Sequence, residues 1–282
     1  MSDDTPPTPP LSVIIPACNE AGYIEACLHS LLASEPAQFE VLVVANGCTD
    51  DTADRARRLI PAFAARGVEL RVLELPALGK PGALNAGDAA VRHGARLYLD
   101  ADVTLSPALL PLLARALAGA APRYASGEPE VRRARSAISR AYARFWVRLP
   151  FVAQDVPGFG LFAVNAAGRA RWGAFPPIIS DDTFVRLQFA PAERIRVPAP
   201  YQWPLVEGFA PLVRVRRRQD QGVAEIARLY PALMAHEGKP RPGAGWLLGR
   251  LLRDPLAFVV YGAVSLAVRL GRGAQSGWVR GR

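Results

Sequence analysis

The first 119 residues repeat one pattern four times: a short apolar run is followed by a stretch with helical spacing. The apolar runs predict strands at Leu11–Pro16, Phe39–Ala45, Leu70–Leu75 and Arg96–Leu99. The intervening stretches predict helices at Gly22–Ala33, Asp51–Arg66, Pro81–Arg92 and Pro107–Leu117. Strands that are apolar throughout are typical of a parallel sheet covered by helices on both faces. The pattern therefore predicts an α/β fold, whose ligands bind at the carboxyl ends of the strands.

Polar side chains follow these predicted strands and should converge at one edge of the sheet. Asn19 and Asn46 come after the first two strands, and Lys80 follows the third in a loop bounded by glycines. Asp100 and Asp102 follow the fourth strand, one residue apart. Alternate side chains of a strand share a face, so we expect both carboxylates to point to one place. Such oxygens suit Mg²⁺ or Mn²⁺ completed by water and phosphates, although a solvated turn explains a lone Asp-x-Asp equally simply.

After Gly119 the regularity weakens. The remaining patterns predict a long arginine-rich helix at Glu130–Leu149, a strand at Phe159–Val164, a short helix at Ser180–Phe189 and a helix at Pro211–Leu229. Near the end of the chain, Pro255–Val268 is fourteen residues long and carries no formal charge. A membrane span needs about twenty residues, so this segment predicts an interfacial or core helix. Arginine and tryptophan flank it, which suits peripheral membrane contact: Trp246, Arg250, Arg253, Arg269, Arg272 and Trp278.

The charge balance indicates which partners to expect. The formal net charge is +9, and only Lys80 and Lys239 are lysines among the 34 basic residues. A cationic surface favours polyanions such as nucleic acid, anionic lipid or a phosphorylated substrate. Because no zinc-finger spacing, aromatic-flanked RNA motif or basic helical repeat is visible, nucleic acid is not expected as a partner.

Two features bear on the compartment. Cys18, Cys27 and Cys48 are too few and wrongly spaced for a disulfide framework or a zinc site, so reduced thiols are expected. The first ten residues are acidic and proline-rich, unlike a secretory signal, and they predict a disordered tail. Together these features predict a cytoplasmic protein.

Four segments resemble one known family in their order along the chain. They are Val13–Glu20, Val43–Thr52, Gly79–Gly87 and Tyr98–Asp102. Together they resemble the nucleotide-sugar domain of the family 2 inverting glycosyltransferases. The resemblance implies a GT-A-like fold, a mostly parallel sheet flanked by helices. It also implies a domain over residues 11–230, with a nucleotide-sugar half (11–119) and an acceptor half (120–230), and then a helical amphipathic C-terminal segment (231–282).

The resemblance also implies roles on the donor side. Asn46 stands where relatives carry a carboxylate that contacts the base, so the identity of the base stays open. Lys80 would reach a phosphate or a ribose hydroxyl. Asp102 would be the principal ligand of Mg²⁺ or Mn²⁺, and Asp100 would contact the ribose or the sugar beside that metal. Further nucleotide contacts are implied for Pro16, Ala17, Cys18, Asn19 and Glu20.

On the acceptor side, the family supplies a catalytic base from a pair of acids. The matching pair is Asp181 and Asp182; Asp182 would be the base and Asp181 would orient the acceptor. An ordinary acidic helix start is the alternative, in which Arg186 simply pairs with Asp182 one turn away. The resemblance further implies contacts to the acceptor or the diphosphate from Gly158, Gly160, Arg217, Arg218 and Gln219.

The leading hypothesis is a metal-dependent inverting glycosyltransferase. It would move a sugar from a nucleoside-diphosphate sugar to a hydroxyl of a lipid-linked or polysaccharide-type acceptor at the inner face of the plasma membrane. One alternative is transfer to a polyprenyl phosphate, which is already anionic and needs no base. The others are a nucleotidyltransferase, in which Asp181 and Asp182 would lack a purpose, and a non-catalytic scaffold of the same fold.

Overall fold

Four parallel strands carry the first half of the chain, as the sequence predicts. The structure is a computed structural model that describes residues 8–271. The strands lie side by side in the order β3-β2-β1-β4. Their bounds are β1 (Leu11–Ala17), β2 (Phe39–Asn46), β3 (Glu69–Leu75) and β4 (Ala95–Leu99). All pairings within this group are parallel, so the four carboxyl ends share one edge.

Helices join these strands, with two departures from the predicted bounds. The predicted helix Asp51–Arg66 is two helices, because Pro61 has no N–H to continue the first and fits the first turn of the second. The helix before β4 begins at Gly79, so Lys80 lies in its first turn and not in a loop. The bounds are α1 (Ile24–Leu32), α2 (Thr52–Arg58), α3 (Ile60–Ala65), α4 (Gly79–Ala90) and α5 (Leu109–Ala116).

The second half extends the sheet with mixed pairing. The order continues from β4 as β7-β6-β8-β5, giving eight strands. The strands are β5 (Thr104–Leu105), β6 (Tyr124–Val131), β7 (Leu161–Val164) and β8 (Arg194–Trp203). β7 runs antiparallel to both β4 and β6, whereas β8 is parallel to β6 and antiparallel to β5.

The predicted helix Glu130–Leu149 is wrong at its start. Glu130 belongs to β6 and pairs with Gln202 of β8. The helix itself begins at Ala137, after Ser136 accepts a hydrogen bond from the backbone N–H of Ser139. Strands β6 and β8 were not predicted at all, since neither alternates apolar and polar residues regularly.

Seven helices follow β6 in the described chain. They are α6 (Ala137–Trp146), α7 (Pro150–Gln154), α8 (Ala166–Arg169), α9 (Asp181–Arg186), α10 (Phe209–Leu229), α11 (Ala244–Arg253) and α12 (Pro255–Leu270). Within residues 8–271, none of the helices is both long and apolar enough to cross a membrane. Residues 1–7 of the predicted disordered tail lie outside the described residues. Arg272 and Trp278 also lie outside them.

Three apolar clusters hold these elements together. One covers the face of the sheet packed on α1 and α5, and a second covers the opposite face and includes Phe184 of α9. We call the third the α6–α10–α12 cluster; its buried members include Tyr142, Leu212 and Val264. The third cluster also takes in Phe159 and Trp203, which lie near the carboxyl edge of the sheet. Helix α12 therefore belongs, through its packing on α6, to the cluster that reaches that edge.

Candidate active site

The loops after β1 and β2 are tied to each other at the carboxyl edge. Asn19 has a φ of 56°, a left-handed conformation that asparagine tolerates better than most residues. Its Oδ1 accepts a hydrogen bond from Thr49 N at 2.7 Å. One residue on, Glu20 N donates to Thr52 Oγ1 at 2.8 Å. These bonds give Asn19 and Glu20 fixed places in the rim where a nucleotide is predicted to bind.

The end of β1 offers mainly backbone to a ligand. Pro16 borders the cavity described below, and the Ala17 side chain is buried. The Cys18 thiol is directed to Gly47 O at 3.9 Å, and the Cys48 thiol donates to Ala17 O at 3.5 Å. The two thiols thus link the ends of neighbouring strands, and burial raises the pKa of Cys48.

Asn46 holds the entrance to α4. Its Oδ1 accepts from Leu78 N at 2.8 Å, and its Nδ2 donates to Gly79 O at 3.0 Å. The Asn46 side chain has a second N–H and a second oxygen lone pair, with which it could hydrogen-bond a nucleotide base. The structure therefore gives Asn46 a positioning contact that the sequence did not predict, because it fixes the turn that presents Lys80.

Lys80 bridges the two halves of the domain. Its Nζ lies 2.8 Å from Asp100 Oδ1 and 3.1 Å from Asp181 Oδ2. Burial works to lower the pKa of this ammonium, but the carboxylates of Asp100 and Asp181 outweigh burial and raise it. Lys80 is therefore charged, and it pairs with acids where a phosphate or ribose contact was predicted.

Asp100 and Asp102 lie in the turn after β4. The strand ends at Leu99, so strand alternation does not set the directions of the two side chains as the sequence analysis supposed. The turn closes through a hydrogen bond from Val103 N to Asp100 O at 3.1 Å, and Asp100 N donates to Gly160 O at 2.8 Å. Both carboxylates are half-buried at the carboxyl edge.

These two acids fit a divalent metal that is shared with a ligand. In the part of the chain that the structure describes, no group of three or more His, Cys, Asp or Glu side chains could hold a metal by itself. Mg²⁺ bound with a nucleotide needs only one or two protein carboxylates, because substrate phosphates and water complete its shell. Asp102 and Asp100 carry carboxylate oxygens, the kind of ligand that such an ion takes.

Asp181 and Asp182 begin α9, directly opposite this edge. The Asp181 carboxyl is 5% exposed and is held by Lys80. Burial raises the pKa of Asp182 to about 6, and the charge of Asp181 adds to this effect. Lys80 and a hydrogen bond from Thr183 N act in the opposite direction. A carboxylate with this pKa can accept a proton near neutral pH.

These side chains surround one small cavity. It measures about 10 Å³, roughly the room one water molecule needs. Its walls come from both halves of the domain: Pro16, Lys80, Leu84, Tyr98, Leu99, Asp100, Gly160, Phe162, Asp181 and Asp182.

Gly160 lines the cavity, and Gly158 lies beside it against Tyr124 and Phe162. Both have positive φ, 72° and 65°. A Cβ on Gly160 would come within 2.9 Å of Val103, 3.1 Å of Trp203 and 3.3 Å of Asp100 Oδ2. A Cβ on Gly158 would overlap the hydroxyl of Tyr124. Backbone at these two positions therefore approaches the site more closely than any side chain could.

Arg186 does not pair with Asp182 in the described structure. Its Nη2 lies 2.6 Å from Glu237 Oε2, and its Nη1 lies 3.4 Å from Asp155 Oδ2. Arg186 is the last residue of α9, about one turn after Asp182. Its ion pairs therefore anchor the carboxyl end of the short helix that carries the acids at its amino end.

Helix α10 divides the predicted diphosphate residues between two faces. Arg217 donates to Ala267 O of α12 at 2.8 Å, so its guanidinium contacts the C-terminal helix. Gly222 packs on Ser180 at the start of α9. Arg218 and Gln219 lie one helical turn before Gly222, on the face directed to α9. The structure therefore supports a location near the site for Arg218 and Gln219, and it does not support one for Arg217.

Some residues of the site were missed by the sequence analysis. Tyr98 and Phe162 line the cavity, and Trp203 of β8 lies against Gly160. Tyr98 opens the segment Tyr98–Asp102 but was not assigned a role, and no motif marks Phe162 or Trp203. Trp203 could have been found only if β8 had been predicted.

Comparisons with known proteins agree with this architecture. The model of Glycosyl transferase family 2 matches residues 12–167, more than half of the chain. An uncharacterized glycosyltransferase, EpsJ of Bacillus subtilis, is 30% identical over 105 residues, which are 37% of this chain and 29% of that protein. The match thus spans less than a third of this curated relative.

Two solved structures share the fold. The mannosyltransferase PcManGT from Pyrobaculum calidifontis, in complex with GDP-Man and Mn²⁺, superposes with a TM-score of 0.59 at 24% identity. That match covers 99% of this chain and 80% of the mannosyltransferase. Glucosyl-3-phosphoglycerate synthase from Mycobacterium tuberculosis, with Mn²⁺ and UDP, gives a TM-score of 0.51 at 22% identity and covers 83% of this chain and 82% of the synthase. The sheet, the order of its motifs and the family match lead to one conclusion: the chain belongs to glycosyltransferase family 2 and has a fold of the GT-A type.

Proposed function

We propose that this glycosyltransferase transfers a sugar from a nucleoside-diphosphate sugar to an acceptor hydroxyl, with inversion and with a divalent metal. One observation carries the proposal. Lys80 Nζ, from the nucleotide-sugar half, lies within 3.1 Å of both Asp100 Oδ1 and Asp181 Oδ2. The acids of the acceptor half are thereby held against the edge where the donor is expected, with Asp182 in the same cavity.

On the donor side, the rim formed by the loops after β1 and β2 would hold the nucleotide. Pro16, Ala17, Cys18, Asn19 and Glu20 line that rim with Asn46. Asp102 and Asp100 would hold Mg²⁺ or Mn²⁺; the metal, when bound, neutralises negative charge on the departing diphosphate. Arg218 and Gln219 would approach the diphosphate from α10. The two solved neighbours contain Mn²⁺, which makes Mn²⁺ the first metal to test.

On the acceptor side, Asp182 would accept the proton of the attacking hydroxyl. Its pKa of about 6 leaves it ionised at neutral pH while keeping it a stronger base than an exposed aspartate. Asp181 would orient the acceptor, and Lys80 holds the Asp181 carboxylate in place. Gly158 and Gly160, which have no side chain, let the backbone of this segment pack closely on Tyr124, Trp203 and Asp100 beside the site.

We also propose an acceptor of the lipid-linked or polysaccharide type, met at the inner face of the plasma membrane. The α6–α10–α12 cluster supports this choice, since Trp203 belongs to the cluster and lies next to Gly160. An apolar acceptor group could pack on that side of the site.

The donor can be identified by thermal stabilisation with a panel of nucleoside diphosphates and their sugars, with and without Mn²⁺. We expect one nucleotide class to raise the melting temperature, and only when Mn²⁺ is present. Asp102→Asn should lose the metal-dependent part of the rise, and Asp54→Asn, on an exposed turn of α2, should keep it. If no nucleotide stabilises the wild-type chain, that result favours the alternative in which the chain is a non-catalytic member of the family.

A further inference from the structure

We propose that α11 and α12 form a docking surface for an anionic lipid bilayer. The two helices meet at Asp254, which ends α11 and caps α12 by accepting a hydrogen bond from Ala257 N at 3.1 Å. In the described chain, eight of the fourteen large apolar side chains that are exposed lie in this pair. They are Leu247, Leu248, Leu251, Leu252, Leu256, Val259, Leu266 and Leu270.

Helix α12 is apolar on every side up to Arg269 in its last turn, apart from Ser265. Ala257, Val264 and Val268 are buried on the side that packs against α6 and α10. The opposite side exposes Leu256 and Leu266 at helical spacing, with Leu256 61% exposed. A helix that is hydrophobic all round is normally covered on all sides. Within residues 8–271, the outer side of α12 therefore lacks a cover that its composition calls for.

Helix α11 extends the same exposed surface across the corner. None of its side chains is buried. It contacts the domain through Trp246, whose ring packs edge-on against Phe145 with the centroids 5.6 Å apart. Leu252, in its last turn, is 75% exposed and lies four residues before Leu256. Exposed leucines therefore flank the corner at Asp254 on both helices.

The charges around this surface favour an anionic partner. Residues 239–271 contain five basic residues and one acid, Asp254. That acid is already paired with Arg144 of α6, with Nε and Oδ2 2.7 Å apart, and this bond lowers the pKa of Asp254 to about 2. Arg253 and Arg269 are exposed beside the leucines. Arginine beside exposed leucine is the pattern of interfacial helices that bind anionic lipid.

The same charges disfavour a second copy of the chain as the cover. A symmetric interface would set this surface, with Arg253 and Arg269, against the same arginine-bearing surface of the other chain. Such like-charge contacts oppose association when no acid intervenes, and the local acid is held by Arg144. A bilayer with anionic headgroups satisfies the arginines and covers the leucines together.

Hydrogen bonds join the surface to α10, whose Gly222 packs on Ser180 at the start of α9. Arg216 of α10 donates to Tyr142 Oη at 2.9 Å and to Tyr261 Oη of α12 at 3.3 Å. Arg217 donates to Ala267 O of α12. Docking would therefore hold the site at a fixed position on the membrane. The inference deepens the proposed function. Docking itself does not depend on that function, and only the advantage of docking, access to an acceptor in the membrane, rests on it.

Vesicle flotation of the full chain tests the surface without donor or metal. We expect the protein to float with vesicles of phosphatidylcholine mixed with phosphatidylglycerol, and to float poorly with phosphatidylcholine alone. Leu252→Gln with Leu256→Gln should lower the partition coefficient by about tenfold or more, because glutamine keeps the helix but loses the apolar contact. The matched double variant Ile60→Gln with Leu229→Gln, also exposed, should change it by less than about twofold.

A second pair of variants isolates the charge. Arg253→Gln with Arg269→Gln should weaken binding to the phosphatidylglycerol vesicles, as should high salt, and Arg58→Gln with Arg115→Gln should do so much less. Equal effects of the test and control pairs, or no flotation of the wild type, would overturn the proposal. So would a dimer in light scattering that Leu252→Gln with Leu256→Gln dissociates. Failure here leaves nucleotide stabilisation untouched, so the two proposals fail separately.

Discussion

The two ends of α9 carry clusters of charge that are built in opposite ways. At the amino end, Lys80 faces the carboxylates of Asp100 and Asp181, and Asp182 lines the same cavity. Among the described residues, three carboxylates thus face a single cation, the ammonium of Lys80. The excess of negative charge, together with burial, raises the pKa of Asp182 to about 6.

At the carboxyl end, two buried arginines face two acids. Arg186 is 1% exposed and contacts Asp155 and Glu237, and Arg194 lies 3.7 Å from the same Asp155 carboxylate. Burial would raise the pKa of Glu237, but Arg186 and Lys239 lower it. Each buried charge here has a partner of opposite sign.

The two ends of α9 therefore differ in role: the amino end serves the proposed reaction and the carboxyl end stabilises the fold. A cluster with an unbalanced charge holds a group whose protonation can change, and that is what a catalytic base needs. A buried cluster in which each charge is paired resists change, and losing one member leaves the others unpaired. We therefore expect substitutions at the amino end to affect the rate and those at the carboxyl end to affect folding.

The largest expected effect is on the rate in Asp182→Asn. Removing the proposed base should lower kcat by about 10² to 10⁴, with donor affinity unchanged, in a transfer assay that follows the sugar on the acceptor. Because the pKa of Asp182 is higher than that of an unfolded aspartate, its ionised form opposes folding above the unfolded pKa. The free energy of unfolding at neutral pH should therefore stay equal or rise.

Asp54→Asn is the matched control, since Asp54 is also an acid in the first turn of a helix but is 71% exposed. It should keep full activity. Turnover by Asp182→Asn at the wild-type rate would remove Asp182 as the base, and it would favour a polyprenyl phosphate acceptor, which needs none.

Arg186→Met should instead destabilise the fold. Leaving Asp155 and Glu237 without this partner should lower the free energy of unfolding by about 3 to 5 kcal/mol in a denaturant titration. Arg57→Met is the control, because Arg57 also contacts two acids, Asp54 and Glu74, but at an exposed position. It should cost about 1 kcal/mol or less. Equal losses in the two variants would refute the distinction between the ends of α9.

Gly222→Ala should give a smaller effect that reaches the amino end from α10. The new Cβ would lie 2.9 Å from Ser180 Cβ and overlap its hydroxyl, so the start of α9 must shift. We expect a loss of about 1 to 3 kcal/mol in unfolding free energy and a fall in kcat that exceeds any change in donor affinity. Gly262→Ala, in α12 with no atom near its Cβ position, should be neutral or stabilising. Unchanged kcat in Gly222→Ala would show that α9 tolerates the shift.

The first half of the fold could be predicted because local patterns determine it. Four apolar strands and their helices are set by neighbouring residues, and parallel pairing brings Asn46, Lys80 and Asp100 to one edge without further information. Asn85 and Gly87 of the same motif serve packing: Asn85 bonds the backbone of Phe175, and Gly87 lies close against Ile14.

The second half could not be predicted in the same way. Strands β6 and β8 pair across about seventy residues, and their alternation is broken by Pro129 and Pro200, so a local window does not detect them. The partners of Arg186 and Arg217 likewise come from distant segments, Glu237 and Ala267. The sequence pattern placed Asp181 and Asp182 on a helix, but only tertiary packing brings that helix to Lys80.

The pH dependence of kcat/KM for the acceptor, at saturating donor, tests the unbalanced cluster most directly. Because a base acts in its ionised form, kcat/KM should be level above pH 6 and fall about tenfold per unit below it. Asp181→Asn removes a charge that raises the pKa of Asp182, so the midpoint should move down; Lys80→Met removes a charge that lowers this pKa, so the midpoint should move up. A flat profile in the wild type, or shifts in the same direction for both variants, would contradict the assignment of Asp182 as the base.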